Sequence, residues 1–188
     1  MAEPAKKKAV YEDLYSVPEN MTGEIIDGHL YATPRPSSRH NRTTFVLSQE
    51  LGPPFDRGRG GPGGWIFLTE TEIRFDDENL FVPDLAGWRL ERFPGPPEAN
   101  WISVPPDWIC EILSPRTFIV DRTKKLPVYA QHGVRHIWLI DPIARVVEVF
   151  RLERGKWLLL GTFAEDDKMK AEPFEELEIH LNDLWLTP

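Results

Sequence analysis

A strand, a helix and a second strand in immediate succession constrain this chain more than any other feature. Trp108 to Leu113 reads WICEIL, apolar throughout except for Glu111. That is the pattern of a strand covered on both faces. Asp121 to His132 follows with a helical pattern closed by Gly133, a residue suited to the left-handed conformation that ends helices. Arg135 to Ile140 is a second buried strand, ended by Asp141-Pro142. Strands joined through a helix pair in parallel by a right-handed crossover. The chain must therefore bury a sheet with helices laid on it, an α/β arrangement. Pro127 lies inside the helical stretch and predicts either a kink or the true first turn there.

Other segments attach to that unit. Glu24 to Ala32 reads as a hairpin around Asp27-Gly28, the pair that a type I′ turn prefers because both central residues need positive φ. Ser37-Ser38 can cap a helix over about His40 to Leu51, stopped by Gly52-Pro53-Pro54. Trp65 to Leu68 and Thr71 to Phe75 read as strands. Leu80 to Trp88 reads as one more, with Pro83 marking an edge, a bulge or a first residue, since proline cannot donate to a ladder. Val146 to Leu152 and Lys156 to Phe163 form a C-terminal hairpin turning at Arg154-Gly155. Gly58 to Gly64 lacks the Lys-Ser/Thr ending of a phosphate-binding loop and reads as a connection. Arg92 to Pro106 is a proline-rich surface loop. Glu165 to Glu176 reads as an acidic loop, and Leu177 to Leu186 as a short amphipathic end. Residues 1–10 read as a flexible tail on a single domain spanning residues 1–188, a length that suits one full core.

Composition narrows the function classes. With 41% hydrophobic and 28% charged residues the expectation is a soluble protein with no membrane association, and its one cysteine fits a reducing cytoplasm. No apolar run approaches the roughly 18 residues a membrane span needs. The formal charge of -8 argues against a broad basic face for a nucleic-acid backbone, though a local positive groove is compatible with it. The single cysteine, Cys110, excludes a disulfide framework and reads as a buried apolar residue.

The chemistry-bearing residues are few. Asp84 and Glu111 each sit in an apolar run, and a carboxylate there is costly unless paired, hydrogen-bonded or ligating a metal. Two such groups about 4 Å apart repel by roughly 4 kcal/mol at an effective dielectric near 20. A divalent cation turns that repulsion into affinity, and magnesium takes one or two carboxylates plus waters. Lys124 and Lys125 follow on the helix and could orient a water or stabilise charge. Asp121 and Lys125 stand four apart, so a surface ion pair is the alternative for Lys125. Glu24 could be a second ligand or a hairpin surface charge. His40 could be a ligand, a phosphate contact or a cap-region residue. Tyr129 reads as packing, while Trp88 and Trp101 could line a groove.

In order and spacing these blocks resemble the Uma2-type restriction endonucleases of the PD-(D/E)xK nuclease superfamily. The resemblance is carried by Glu24-Ile25-Ile26-Asp27-Gly28, His40, Val82-Pro83-Asp84 and Glu111-Ile112-Leu113-Ser114-Pro115. It continues through Asp121 with Lys125-Leu126 to Tyr129, Gly133 and Trp138-Leu139-Ile140-Asp141-Pro142. It implies a restriction-endonuclease-like mixed central sheet flanked by helices, with N-terminal and C-terminal hairpins. It also implies a homodimer acting on DNA, with Mg2+ (or Mn2+) held by Asp84 and Glu111. The superfamily pattern places a lysine two residues after the acid, where this chain has Leu113; Lys125 on the next helix matches the family's alternative, with Lys124 beside it. Two other functions are compatible with the same residues. One is a non-catalytic dimeric binding or regulatory module, and the other is a phosphodiesterase on RNA or nucleotides.

Overall fold

The computed structural model describes residues 7–93, 95 and 97–186. Two sheets carry the molecule. The first begins with β1 (Met21–Ile26) and β2 (His29–Pro34), the expected hairpin. Asp27 and Gly28 take φ of 51° and 70° at its turn, the left-handed conformation a type I′ turn requires. Ala9 donates its N–H to the Gly28 carbonyl at 2.8 Å, so the end of the presumed tail is tied to this turn. Residues 1–6 lie outside the described residues. A short 3₁₀ helix of two turns spans Tyr11–Ser16.

Helix α1 (Ser38–Leu51) starts where the serine signal placed it, with Ser37 as its cap. It does not stop at Gly52. A π turn, Gly52–Asp56, extends it and buries Phe55. The prolines are tolerated because they fall in the first turn of that extension, where no N–H is needed.

Pro83 has a larger effect than a bulge. The stretch expected as one strand divides into β5 (Leu80–Phe81) and β6 (Leu85–Arg89), which belong to different sheets. β5 pairs with β1 and with β4 (Ile73–Arg74), completing a four-stranded sheet. β6 pairs with β3 (Trp65–Thr69) and with β7 (Trp108–Ile112) in a six-stranded sheet. Asp84 therefore sits where the chain crosses from one sheet to the other.

β7 pairs in parallel with β8 (His136–Asp141), as the strand–helix–strand order requires. β9 (Val146–Glu153) and β10 (Lys156–Ala164) continue the sheet antiparallel, giving the order β10-β9-β8-β7-β6-β3. The crossover is helical from Phe118 to Gln131. It runs from α2 (Phe118–Val120) through a π turn (Asp121–Lys125) into α3 (Leu126–Gln131). The wide turn is how the helix accommodates Pro127: the Leu126 N–H reaches back to the Asp121 carbonyl just before the residue that has no N–H.

Period-2 alternation divides the core between the faces of this sheet. Trp108, Cys110, Ile112, Trp138 and Ile140 pack towards α1 and the C-terminal segment. Ile109, Leu113, Ile137 and Leu139 pack towards Tyr129 and the residues of the smaller sheet. The acidic stretch after β10 is more than a loop. β11 (Lys168–Met169) within it pairs with β12 (Ile179–His180) just beyond it, and Phe174 is driven into the first core face. Trp88 is fully buried and donates its indole N–H to the Val104 carbonyl, and Trp101 packs on Tyr11. Trp88 therefore lines no groove, while Trp101 is half-buried.

Candidate active site

At the join of the two sheets lies a cleft of about 590 Å³. Its walls bring together Glu24, His40, Asp84, Glu111, Asp121 and Lys125. Each arrives from a different element for a local reason. Glu24 is on β1 and faces inward with Ile26 by strand alternation. It is buried, and its Oε1 accepts the Val82 N–H at 2.7 Å across the edge of β5. Asp84 follows the proline break. Its Oδ2 accepts the Ile112 N–H at 2.7 Å, fixing it to the end of β7.

His40 is held in the first turn of α1, where its N–H reaches the Ser37 hydroxyl. Its Nε2 lies 3.0 Å from Asp84 Oδ1. Its Nδ1 is buried with no hydrogen-bond partner among the described residues. Glu111 projects from β7 on the face opposite Cys110. Its Oε1 accepts from Lys125 Nζ at 3.3 Å and from the Tyr129 hydroxyl at 2.5 Å.

Lys125 is the hub. Its ammonium lies 2.9 Å from Glu24 Oε1 and 3.3 Å from both Glu111 Oε1 and Asp121 Oδ1. The Asp121–Lys125 pair, open to reading as a surface contact from its four-residue spacing, is buried: both residues are at most 5% exposed. Lys124 does not reach the cleft. Its side chain is exposed and pairs with Asp27 in the β1–β2 turn at 2.9 Å. The structure thus brings Glu24, His40, Asp84, Glu111 and Lys125 together and leaves Lys124 outside.

Charge balance governs the site. Three carboxylates share one ammonium and a fourth, Asp84, lies against His40, so the interior is short of positive charge. Burial raises the Glu111 carboxyl well above its usual range, against the lowering pull of Lys125 and with the neighbouring carboxylates adding to it. Burial raises Asp121 in the same way, again opposed by Lys125. Burial alone would lower the Lys125 ammonium, but Glu111, Glu24 and Asp121 more than reverse this and hold it well above its ordinary value. The lysine is therefore a fixed cation rather than a proton acceptor.

The donor chemistry fits a hard divalent cation. The acids offer only carboxylate oxygens, and the excess negative charge is what such an ion would relieve. Among the described residues no three His, Cys, Asp or Glu side chains are arranged as a ready-made cage. Two carboxylates completed by waters is, however, magnesium's ordinary arrangement. Around the cleft Arg35, Arg39 and Arg116 are exposed, three cations to one exposed carboxylate, Glu70, which lies 4.0 Å from Arg35, on an otherwise acidic chain.

Two residues of the cluster were not singled out as site residues by sequence reasoning, Asp121 and Tyr129. A signal was available: Asp121, Lys125 and Tyr129 recur every four residues, one stripe of a helix facing the strand that carries Glu111.

Comparison with known proteins places this arrangement in context. The Uma2 family, described as "Putative restriction endonuclease", matches residues 9–182. No curated protein matches the sequence. Among solved structures, a crystal structure from Anabaena variabilis, described as a "putative nuclease belonging to DUF820", is similar over 94% of this chain and 97% of its own. The sequence identity is 26% and the TM-score 0.75. The resemblance therefore covers the sheets and the cleft alike. Among the described residues no helix is long and apolar enough to cross a membrane.

Proposed function

The chain belongs to the Uma2 family of restriction-endonuclease-like proteins, and from that premise we propose that it is a magnesium-dependent endonuclease hydrolysing DNA phosphodiester bonds in the cleft between its sheets. The observation that carries the proposal is the convergence of Asp84 and Glu111 beside the buried cation Lys125. Asp84 and Glu111 would hold Mg2+, with Mn2+ as a substitute of similar oxygen preference. When bound, the ion supplies positive charge against the phosphoryl oxygens and activates water for attack.

The protein's own groups do the rest. His40 and the Ile112 N–H orient the Asp84 carboxylate. Lys125, held charged, orients the attacking water and stabilises charge developing on the phosphoryl group. Arg35, Arg39 and Arg116 at the rim would receive flanking phosphates. A homodimer, which would present one cleft to each strand of a duplex, belongs to the same proposal.

Cleavage of supercoiled plasmid with magnesium tests it, comparing the wild type with Asp84→Ala and Glu111→Gln. The expected result is cleavage by the wild type and a loss of at least about a hundredfold in each variant, the scale of removing one electrostatic group from a site. Equal rates in all three proteins would remove these residues from the reaction.

One observation favours a non-catalytic binding module: three carboxylates of the protein already lie within 3.3 Å of the Lys125 ammonium. Wild-type protein that binds DNA but cuts neither DNA nor RNA in magnesium or manganese would establish that reading. Cleavage of RNA or nucleotides with DNA inert would instead point to a phosphodiesterase.

A further inference from the structure

Tyr129 is not itself a lining residue of the cleft, yet its hydroxyl is committed to the site. It stands one turn beyond Lys125 on α3, fully buried. Its ring packs against Phe75 and Phe81, so its position is fixed by the core and not by the acid it meets. Its hydroxyl donates to Glu111 Oε1 at 2.5 Å. Burial raises the hydroxyl's pKa well above its ordinary value and Glu111 reinforces the shift, so it remains a donor.

The second donor to Glu111, Lys125, falls on the same oxygen. Two donors therefore saturate Oε1 from one side. Among the described residues no hydrogen bond reaches Oε2. The carboxylate is thus clamped in one rotamer with one oxygen spoken for and the other available.

We propose that Tyr129 is a positioning residue for the metal site: it locks Glu111 so that Oε2 is presented to the divalent cation. This rests on the reading of Asp84 and Glu111 as the metal-binding pair. A hydrogen-bond partner of a ligating carboxylate sets its orientation and basicity, and loss of such a partner weakens metal binding by about 10–100-fold. A tyrosine suits the task better than a second lysine. It donates one directional bond without adding charge, and its ring is anchored by packing at low entropic cost.

The test is a calorimetric titration of Mn2+ into the metal-free wild type, Tyr129→Phe and Glu111→Gln, with circular dichroism confirming that each is folded. Tyr129→Phe keeps the ring and its contacts and removes only the donor. The expected result is that the wild type binds, Glu111→Gln loses binding, and Tyr129→Phe binds about 10–100-fold more weakly. Replacement of Tyr129 by 4-aminophenylalanine, which returns an N–H donor to the same ring, should restore affinity towards the wild-type value. It serves as the second variant if Tyr129→Phe does not fold, since a folded amino variant that binds as poorly as Glu111→Gln overturns the proposal. Wild-type affinity in folded Tyr129→Phe, with binding lost in Glu111→Gln, overturns the role of Tyr129 and leaves the two-acid site standing. Absent binding in the wild type, or unchanged binding in Glu111→Gln, overturns both.

Discussion

Lys125 Nζ lies 2.9 Å from Glu24 Oε1, joining the π turn of the crossover helix to the first strand of the smaller sheet. The bond ties the two sheets together at the cleft, and the ammonium does so while also neutralising Glu111 and Asp121. A buried charge that loses its partner costs far more than a surface one. Replacing Lys125 by Met leaves three buried carboxylates with no cation. The expected loss is about 3–5 kcal/mol at neutral pH, measured by urea denaturation. The pH dependence has a definite sign. The raised pKa of Lys125 means that its contribution is complete at neutral pH and is lost only as pH rises through the folded value. In the variant, lowering the pH protonates Glu111 and Asp121, whose carboxyls burial already raises. The deficit should therefore shrink as the pH is lowered from neutrality. A deficit independent of pH would mean that the loss is one of packing.

Lys124 is the control for that experiment. Its side chain is 46% exposed and its partner Asp27 is on the surface. Exposed pairs of this kind contribute little because water screens them and two mobile side chains must be ordered. Lys124→Ala should leave both the unfolding midpoint and any plasmid cleavage at wild-type values. A large loss of cleavage with stability intact would place the working lysine here instead.

Much of this architecture could be read from the residues. The β1–β2 turn, α1 and the parallel β7–β8 pair follow from local chemistry: an Asp-Gly pair, a serine cap and two apolar runs about a helix. What escaped was set by distant partners. Pro83 announces a break but not that Leu80 and Leu85 go to different sheets, because that depends on β1 competing for β5. The four-residue spacing of Asp121 and Lys125 is equally good for a wet face and a buried one. Only Glu24 and Glu111, contributed from elsewhere, decide it. Phe174 was hidden by its acidic neighbours, since one aromatic residue in a charged stretch has no period to betray its burial.

His136 and Glu172 give a second dependence on pH, away from the cleft. Burial lowers the His136 pKa, against the pull of Glu172. Burial would raise Glu172, but its bonds from Arg151 and His136 outweigh this and lower it. Glu175 is also near enough to pull on His136, and Arg151 opposes it. A histidine with a lowered folded pKa binds fewer protons than its unfolded counterpart. Its contribution is therefore present above the ordinary value of 6.5 and is lost as pH falls below it. Glu172 adds a loss in the same direction below 4.5. Stability should thus decline with acid more steeply in the wild type than in His136→Gln over the range just below the histidine's ordinary value. Denaturation curves with parallel pH profiles for the two proteins would refute the assignment.

Cys110 offers a check on the sheet itself. It is fully buried in β7, on the face opposite Glu111. Burial raises its thiol well above the ordinary value, and the charges of Asp84 and Glu111 add to the effect. Only the thiolate is reactive, so the folded protein should resist a thiol reagent and modify at the rate of global opening. Rapid stoichiometric labelling under native conditions would show that β7 is accessible.

Phe174 tests whether the acidic C-terminal stretch is structural. It is 1% exposed and its ring lies 4.8–5.6 Å from those of Phe55, Trp65, Phe67, Trp108 and Trp138. The flanking backbone is committed as well: the Trp138 indole donates to the Glu172 carbonyl at 2.7 Å. Truncating a buried phenylalanine to alanine removes its burial and leaves a cavity that rigid aromatic neighbours cannot close, a cost of about 3–5 kcal/mol. Phe174→Ala should therefore lower the urea midpoint strongly, and Phe174→Leu, which restores most of the volume, should recover part of the loss. Trp138 and Trp108 also carry the site strands, since Glu111 lies between positions of β7 that pack on this cluster. If the segment is only a loop, Phe174→Ala will unfold at the wild-type midpoint. If it is the cover of the first core face, the variant will lose any metal binding of the wild type as well, in proportion to the fraction unfolded and not beyond it.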